Sequence, residues 1–213
     1  MSIENNILEL GKNAKKASLE IKLCSNDQKN AALSSLMKNI SKNKDKIIEA
    51  NNMDIENGKK KSLSKPLINR LTLTDKSIEG LINSIEDIIT IPDPIGLTLE
   101  EWERPNGLKF RKISTPLGVL GVIYESRPNV TVDASCLSIK SGNSIILRGG
   151  SDSFYSSREL VSNITQSFTE AGLPNHCVQM IDTPERKAVD YLLKMKDYVD
   201  VIIPRGGKGL IEK

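Results

Sequence analysis

The sequence predicts an α/β fold in which a parallel sheet of Rossmann type follows a group of helices. Up to about Thr90 the apolar side chains recur at helical spacing, whereas from Gly118 onward short apolar segments alternate with amphipathic ones. The short segments are apolar at nearly every position, which is typical of parallel strands covered by helices on both faces. Strand–helix–strand units of this kind build a parallel sheet through right-handed crossovers.

Helices are predicted for the first region, residues 1–98, packing on the sheet domain. Ser25 followed by Gln28 can form a capping box, which opens one long helix with an apolar stripe that extends to Ile48. A further helix begins near Thr74 and Asp75. The inward positions of the first helix and of the long one are Ile3, Ile7, Leu10, Ala14, Leu33, Leu36, Met37, Ile40 and Ile47.

A β-hairpin is predicted for the second region, residues 99–115. Prolines and a glycine between Ile91 and Gly96 break the helical pattern, and Asn106-Gly107 then separates two segments of strand character. Asn-Gly accepts the positive φ angles of a tight hairpin turn. Because a two-stranded hairpin is marginal alone, we expect it to pack on another surface and to serve oligomerisation.

Alternating strands and helices make up the third region, residues 116–213. Gly142 and Gly172 stand just past predicted helix ends, where glycine is favoured. The predicted strands are Gly118–Ile123, Ser144–Leu147, Cys177–Ile181 and Val199–Ile203. The predicted helices are Val130–Lys140, Ser153–Ala171 and Pro184–Lys194, and residues 208–213 read as the start of another.

Three polar loops follow strands of this sheet. They are residues 124–129, the run Arg148-Gly149-Gly150-Ser151, and residues 204–207. Because the carboxyl ends of parallel strands meet at one edge, and ligands bind there in open α/β sheets, the three loops together predict a nucleotide site. In the second loop, glycines permit close approach, free amides at a helix start favour an anion, and Arg148 suits phosphate. The alternative is a tight turn with a surface arginine.

The loop after the first sheet strand is a candidate substrate site. Arg127 is suited to a carboxylate or a phosphate, and Asn129 to donating a hydrogen bond to an oxyanion. Alternatively, Asn129 caps the helix that follows. The residues alone leave both alternatives open.

Cysteine usage predicts reduced thiols and no metal site. Three cysteines are far apart in the sequence, and His176 is the only histidine. Cys136 lies inside a predicted helix with no histidine near it, so a packed core thiol is the favoured interpretation, and a nucleophile is rejected. Unpaired cysteines and a polar N-terminus predict a cytoplasmic protein.

Charge and hydropathy exclude further classes of partner. A net charge of +3 does not favour nucleic-acid binding, and we expect no membrane partner because long apolar runs are lacking. The basic run Lys59-Lys60-Lys61 is interpreted as a solvated loop.

Four segments resemble the aldehyde dehydrogenase superfamily in their order and spacing. They are Thr115–Ile123, Gly142–Leu147, Ala171–Pro174 and Val199-Asp200 with Gly206. The three strand-end loops resemble, within that superfamily, the γ-glutamyl phosphate reductases. The resemblance implies an NADPH-dependent reduction of L-glutamyl 5-phosphate to L-glutamate 5-semialdehyde and phosphate in proline biosynthesis.

The resemblance also implies roles for individual residues. Those implied to bind NADPH are Arg148, Gly149, Gly150, Ser151, Arg205, Gly206 and Gly207, with Arg148 near the 2′-phosphate. Those implied to bind the substrate are Ser126, Arg127 and Asn129, and the resemblance does not decide which of the last two meets the oxyanion. A homo-oligomer of the full-length protein and an association with glutamate 5-kinase are implied as well.

One departure from the family concerns catalysis. The family's nucleophilic cysteine belongs to a second domain, past the position that matches Lys213, so we expect the catalytic domain to be absent and the chain alone to be inactive. The alternative function is a non-catalytic nucleotide-binding or oligomerisation module derived from the same fold.

Overall fold

A computed structural model describes residues 2–207 and has the predicted α/β architecture. Its main sheet has four parallel strands in the order β5-β4-β3-β6. The strands are β1 (Thr98–Glu103), β2 (Lys109–Ile113), β3 (Val119–Tyr124), β4 (Ser144–Arg148), β5 (Val178–Met180) and β6 (Val201–Arg205). The chain moves outward from β3 to β5 and then returns to the other side of β3. The order therefore reverses between β3 and β6, which is where ligands bind in folds of this type.

The helices cover both faces of the sheet. Their bounds are α1 (Ile3–Ile21), α2 (Asn26–Lys42), α3 (Lys44–Lys60), α4 (Lys65–Leu71), α5 (Asp75–Thr90), α6 (Pro128–Lys140), α7 (Phe154–Glu170) and α8 (Lys187–Lys194). Leu120 and Val122 of β3 belong to a core cluster with residues of α2, α5, α6 and α7, whereas Val119 and Ile123 belong to a second cluster with residues of α1 and α8. Successive side chains of a strand point to opposite faces, so β3 is buried on both. The continuously apolar strand pattern is thereby explained.

Two predicted helix starts are correct, and a capping box stands at each. The Ser25 hydroxyl accepts a hydrogen bond from the Gln28 amide at 3.2 Å, and the Gln28 side chain accepts one from the Ser25 amide at 2.9 Å. A second capping box links Thr74 and Ser77 at the start of α5. These contacts satisfy amides that a helix start leaves without partners within the helix.

The prediction of one long helix after Ser25 is wrong. The helix ends at Lys42, and α3 begins at Lys44 after Asn43, which has φ −99° and ψ 15°. The Asn43 side chain donates a hydrogen bond to Asn163 Oδ1 on α7 at 2.7 Å. A tertiary contact therefore accompanies a break that the helical spacing does not reveal. The short helix α4 was not predicted, and α8 begins three residues later than Pro184.

The predicted hairpin is present as β1 and β2, paired antiparallel. Its turn is closed by the Arg104 amide, which donates to the Leu108 carbonyl at 2.9 Å. All positions of both strands are exposed, and Trp102 stacks on Phe110 with ring centroids 5.4 Å apart. The role of the hairpin in oligomerisation stays a prediction. The helix start predicted at residues 208–213 lies outside the described residues. Within residues 2–207, the helices are too short or too polar to cross a membrane.

Asp200 anchors the start of β3. Its carboxylate accepts hydrogen bonds from the Val119 amide at 2.8 Å and from Lys15 at 2.8 Å. Partial burial would raise the pKa of Asp200, but the hydrogen bonds from Lys15 and Val119 outweigh it and lower that pKa. Gly118, the residue before Val119, has a φ of +121°. A Cβ placed on Gly118 would overlap the Asp200 carboxylate. The junction therefore needs glycine both for its backbone angle and for space.

Candidate functional site

The loops after β3 and β6 face each other where the strand order reverses. Tyr124, Glu125 and Arg127 line one side of a cleft of about 210 Å³, and Arg205 and Gly206 line the other. The first of these loops is predicted to bind the substrate, and the second is predicted to bind the cofactor. The structure brings the two loops together at one cleft.

Glu125, a residue for which no role is predicted from the sequence, connects these two loops. Its carboxylate accepts a hydrogen bond from the Gly207 amide at 2.7 Å, and its own amide donates to the Arg205 carbonyl at 3.3 Å. Because both ends of the short Arg205–Gly207 segment are held by one residue, Glu125 fixes where this loop lies beside β3. The contact joins residues far apart in sequence, so no local pattern could reveal it.

Ser126 connects the loop after β3 to the loop after β4. Its hydroxyl donates to Asp152 at 3.4 Å. A Cβ placed on Gly150 would lie 2.5 Å from Ser126 Oγ and 2.8 Å from Ser126 N. Gly150 is thus required for the two loops to pack together, a reason additional to any approach by a ligand.

Asn129 does not cap α6, so that alternative interpretation is wrong. The N-cap residue is Arg127, Pro128 is the first helical residue, and Asn129 is the second. The side-chain Nδ2 of Asn129 donates a hydrogen bond to Asp133 Oδ2 at 3.2 Å. Asn129 and Asp133 line a different cleft from the one that holds Arg205. Among the predicted substrate residues, Arg127 therefore lies nearer than Asn129 to the loop after β6.

Arg148 is buried, with only 7% of its surface exposed, so the alternative of a surface arginine on a tight turn is wrong. Its guanidinium donates to the Gly149 carbonyl, to the Pro184 carbonyl at 3.1 Å and to the Glu185 carbonyl at 3.4 Å. Its buried Nε has no hydrogen-bond partner among residues 2–207. Burial lowers the pKa of Arg148, and nearby Tyr124 opposes that change. An arginine still remains charged at neutral pH. The side chain thus holds the loops after β4 and β5 together.

The start of α7 is occupied by a carboxylate from another helix. Asp54 of α3 accepts hydrogen bonds from the amides of Tyr155 at 3.1 Å and Ser156 at 2.7 Å, and from the Ser156 hydroxyl at 2.5 Å. Burial raises the pKa of Asp54, while the hydrogen bonds from Ser156 and Tyr155 lower it. These two amides therefore bind an anion, as expected of a helix start, but the anion is the Asp54 carboxylate and the amides are not free for a ligand.

A pocket of about 390 Å³ lies between the end of α3 and the loop after β4. Its lining includes Lys60, Lys61, Ser151, Phe154, Tyr155 and Pro184. The basic run is exposed to solvent, as interpreted, but it is not a loop, because Lys59 and Lys60 form the end of α3 and Lys61 is its C-cap residue. The run could have been assigned to a helix end, where lysine is favoured, but its position beside Ser151 depends on the tertiary fold.

The two buried cysteines are poor nucleophiles. Burial raises the pKa of Cys136, which lies fully buried inside α6, and raises that of Cys177 to about 12. A thiol must be ionised to attack, so both are inert at neutral pH. Cys24 is half-buried, and burial raises its pKa as well. Within residues 2–207, the carboxylates, cysteines and histidine form no group of three that could hold a metal ion.

Comparison with known proteins decides the family. Residues 3–209 match the model of the aldehyde dehydrogenase family. The chain belongs to the aldehyde dehydrogenase family. This confirms the superfamily that the sequence motifs resemble, and the parallel sheet with its flanking helices is the aldehyde dehydrogenase-like fold that was predicted.

Several relatives that are 33–45% identical to the chain are named γ-glutamyl phosphate reductase. The chain is 45% identical over its whole length to γ-glutamyl phosphate reductase of Halothermothrix orenii, and this match covers 51% of that protein. The crystal structure of γ-glutamyl phosphate reductase from Thermotoga maritima superposes with a TM-score of 0.95 and 36% identity, over 97% of this chain and 50% of that one. The Saccharomyces cerevisiae enzyme gives a TM-score of 0.89 and 33% identity, over 96% and 52%. The chain thus spans about half the length of these aldehyde dehydrogenase relatives.

Proposed function

We propose that this chain forms the cofactor-binding and part of the substrate-binding region of an NADPH-dependent reductase acting on L-glutamyl 5-phosphate. The products are L-glutamate 5-semialdehyde and phosphate, a step of proline biosynthesis. The observation that carries the proposal is the cleft between Arg127 and Arg205, which lies at the reversal of strand order in a chain 45% identical to a named γ-glutamyl phosphate reductase.

NADPH is proposed to lie along the carboxyl edge of the sheet. Its adenosine half lies beside Arg148, Gly149, Gly150 and Ser151, and its nicotinamide half lies beside Arg205, Gly206 and Gly207. The pocket of about 390 Å³ next to Ser151 and the orphaned Nε of buried Arg148 fit a phosphorylated ligand at the adenosine end. When bound, the nicotinamide supplies a hydride.

The substrate is proposed to meet the cofactor at Arg127. L-Glutamyl 5-phosphate carries a carboxylate and a phosphate, and a planar guanidinium binds either group through paired hydrogen bonds. Ser126 lies next to Arg127 and donates to Asp152. Asn129 is still proposed to bind the substrate. Its side-chain Nδ2 donates to Asp133, and both residues line the cleft next to the one that holds Arg127.

Turnover needs a thiolate that the described cysteines do not supply. In the proposed reaction a cysteine displaces phosphate from the acyl phosphate, and hydride addition to the resulting thioester releases the aldehyde and restores the thiol. Cys136 and Cys177 are buried with raised pKa values, and Cys24 is not among the residues that line the cleft between Arg127 and Arg205. We therefore propose that the chain alone binds ligands but is inactive.

A chimeric enzyme tests this proposal. The chain replaces the corresponding half of the Thermotoga maritima reductase, to which it superposes with a TM-score of 0.95. We expect the chimera to consume NADPH only when L-glutamyl 5-phosphate is supplied, and the isolated chain to consume none. A folded chimera that binds NADPH but leaves this substrate unreduced would contradict the proposed function. Steady NADPH consumption by the isolated chain would contradict its proposed inactivity.

The exposed hairpin favours a second candidate role in oligomerisation. Trp102 and Phe110 stack on a strand pair with all positions exposed, and such apolar surface commonly marks a contact with another protein. We expect dimers in size-exclusion chromatography, and Trp102→Ser should shift them to monomers. A monomeric wild-type chain would contradict this role. Association with glutamate 5-kinase stays a prediction, and three unpaired cysteines favour the cytoplasm as the location.

A further inference from the structure

We infer that Lys60, at the end of α3, binds the 2′-phosphate of NADPH and thereby contributes to a preference for NADPH over NADH. The inference rests on the proposed function, because it takes the adenosine half of the cofactor to lie beside the loop after β4. It adds a residue from a helix to which the sequence analysis gave no chemical role.

The pocket next to Ser151 has the size and the surfaces that an adenosine phosphate needs. It measures about 390 Å³, within the range of about 300–1,000 Å³ for small-molecule sites. Lys60 comes from α3, Ser151 from the loop after β4, and Pro184 from the loop after β5, so the pocket lies at the carboxyl edge of the sheet. Phe154 and Tyr155 meet edge to face with centroids 5.7 Å apart and give it an aromatic side.

The charges around the pocket leave Lys60 available for an anion. Its lining includes two carboxylates, of which Asp54 is buried and bound to the amides of α7. Asp152 forms an ion pair with Lys61, with Nζ 2.9 Å from Oδ1. Lys60 is exposed and has no carboxylate partner within 4.0 Å among residues 2–207.

Arg148 is poorly placed to be the cation that binds the 2′-phosphate. Its terminal nitrogens donate to the carbonyls of Gly149, Pro184 and Glu185, so a phosphate would have to compete with these contacts. Lys60 carries a compact charge with three donors on a flexible stem, which suits a phosphate at the pocket rim. NADH has a neutral hydroxyl at the same position, so Lys60 contributes to binding NADPH and hardly at all to binding NADH.

Calorimetric titration of the chain with NADPH and with NADH tests this inference. We expect Lys60→Ala to weaken NADPH binding about tenfold, the effect of one favourable charge contact to a phosphate, and to change NADH binding less than about twofold. Lys60→Arg should retain the preference. Lys59→Ala is the matched control: Lys59 belongs to the same basic run but is not part of the pocket lining, so neither affinity should change.

The outcomes separate this inference from the proposed function. If the wild-type chain prefers NADPH and Lys60→Ala keeps that preference, the inference is overturned and the proposed function stands. Equal weakening of both cofactors by Lys60→Ala also overturns it, because Lys60 would then not act on the 2′-phosphate, the one group in which the two cofactors differ. If the folded wild-type chain binds neither cofactor, the proposed cofactor role fails and the inference fails with it.

Discussion

Asp54 joins α3 to the start of α7, and replacing it with alanine tests how strongly this contact holds the candidate site together. Its side chain is buried, and it accepts three hydrogen bonds from Tyr155 and Ser156. Lys60 lies six residues further along the same helix, so the position of the basic helix end depends on the same contact. Asp54→Ala removes both carboxylate oxygens and therefore all three hydrogen bonds.

The expected loss of stability is about 3 kcal/mol. Removing a helix-capping side chain costs about 0.5–2 kcal/mol. Leaving a buried donor such as the Ser156 amide without a partner costs about 1–3 kcal/mol. Removing a buried carboxylate, the pKa of which is raised by burial, recovers part of that loss. Asp54→Asn keeps one acceptor and should cost about half as much.

Urea unfolding, followed by circular dichroism, measures this difference at neutral pH. Glu56→Ala is the matched control, because Glu56 is exposed on the same helix and its loss should change the free energy of unfolding by less than about 0.5 kcal/mol. A loss below about 1 kcal/mol for Asp54→Ala, with Glu56→Ala unchanged, would refute the reasoning that this buried cap stabilises the contact between α3 and α7.

Three further predictions concern the anchor of β3 and the thiols. Gly118→Ala should lower the free energy of unfolding by about 3 kcal/mol or more in urea titrations. The reason is that the φ of +121° at Gly118 and the nearby Asp200 carboxylate both oppose a side chain at this position. A loss under about 1 kcal/mol would contradict this. Because the folded state lowers the pKa of Asp200 below 3.8, its contribution is present above that pH and lost as pH falls through the lowered value. Asp200→Asn should therefore flatten the acid end of the stability profile, and an unchanged slope would contradict the assignment. After iodoacetamide treatment of the native chain, mass spectrometry should find Cys24 modified and the buried Cys136 and Cys177 unmodified. Rapid labelling of Cys136 would argue against its burial.

The sheet and its flanking helices could be predicted because their signals are local. Continuous apolar runs such as Val119–Tyr124 are buried on both faces, and the capping box at Ser25 needs only residues three positions apart. The order of strands and helices follows directly from the order of these local signals in the sequence. Parallel pairing then brings the three strand-end loops to one edge.

The chemistry of individual site residues could not be predicted in the same way. Arg148 follows a strand and precedes glycines, so the sequence offers no sign that its guanidinium binds carbonyls of Pro184 and Glu185 on another loop. The break at Asn43 is linked to Asn163 on α7, and the end of α3 meets Ser151 only in the folded chain. These features depend on contacts across more than 30 residues, for which spacing rules carry no information.

The central claim is that the carboxyl edge of the sheet binds NADPH, and amide NMR of the isotope-labelled chain tests it most directly. Titration with NADPH should shift the resonances of two segments, 149–151 and 205–207, with a common saturation curve, and leave the hairpin amides near Trp102 unchanged. Absence of saturable shifts at both segments in the folded chain, or shifts confined to other surfaces, would contradict the account.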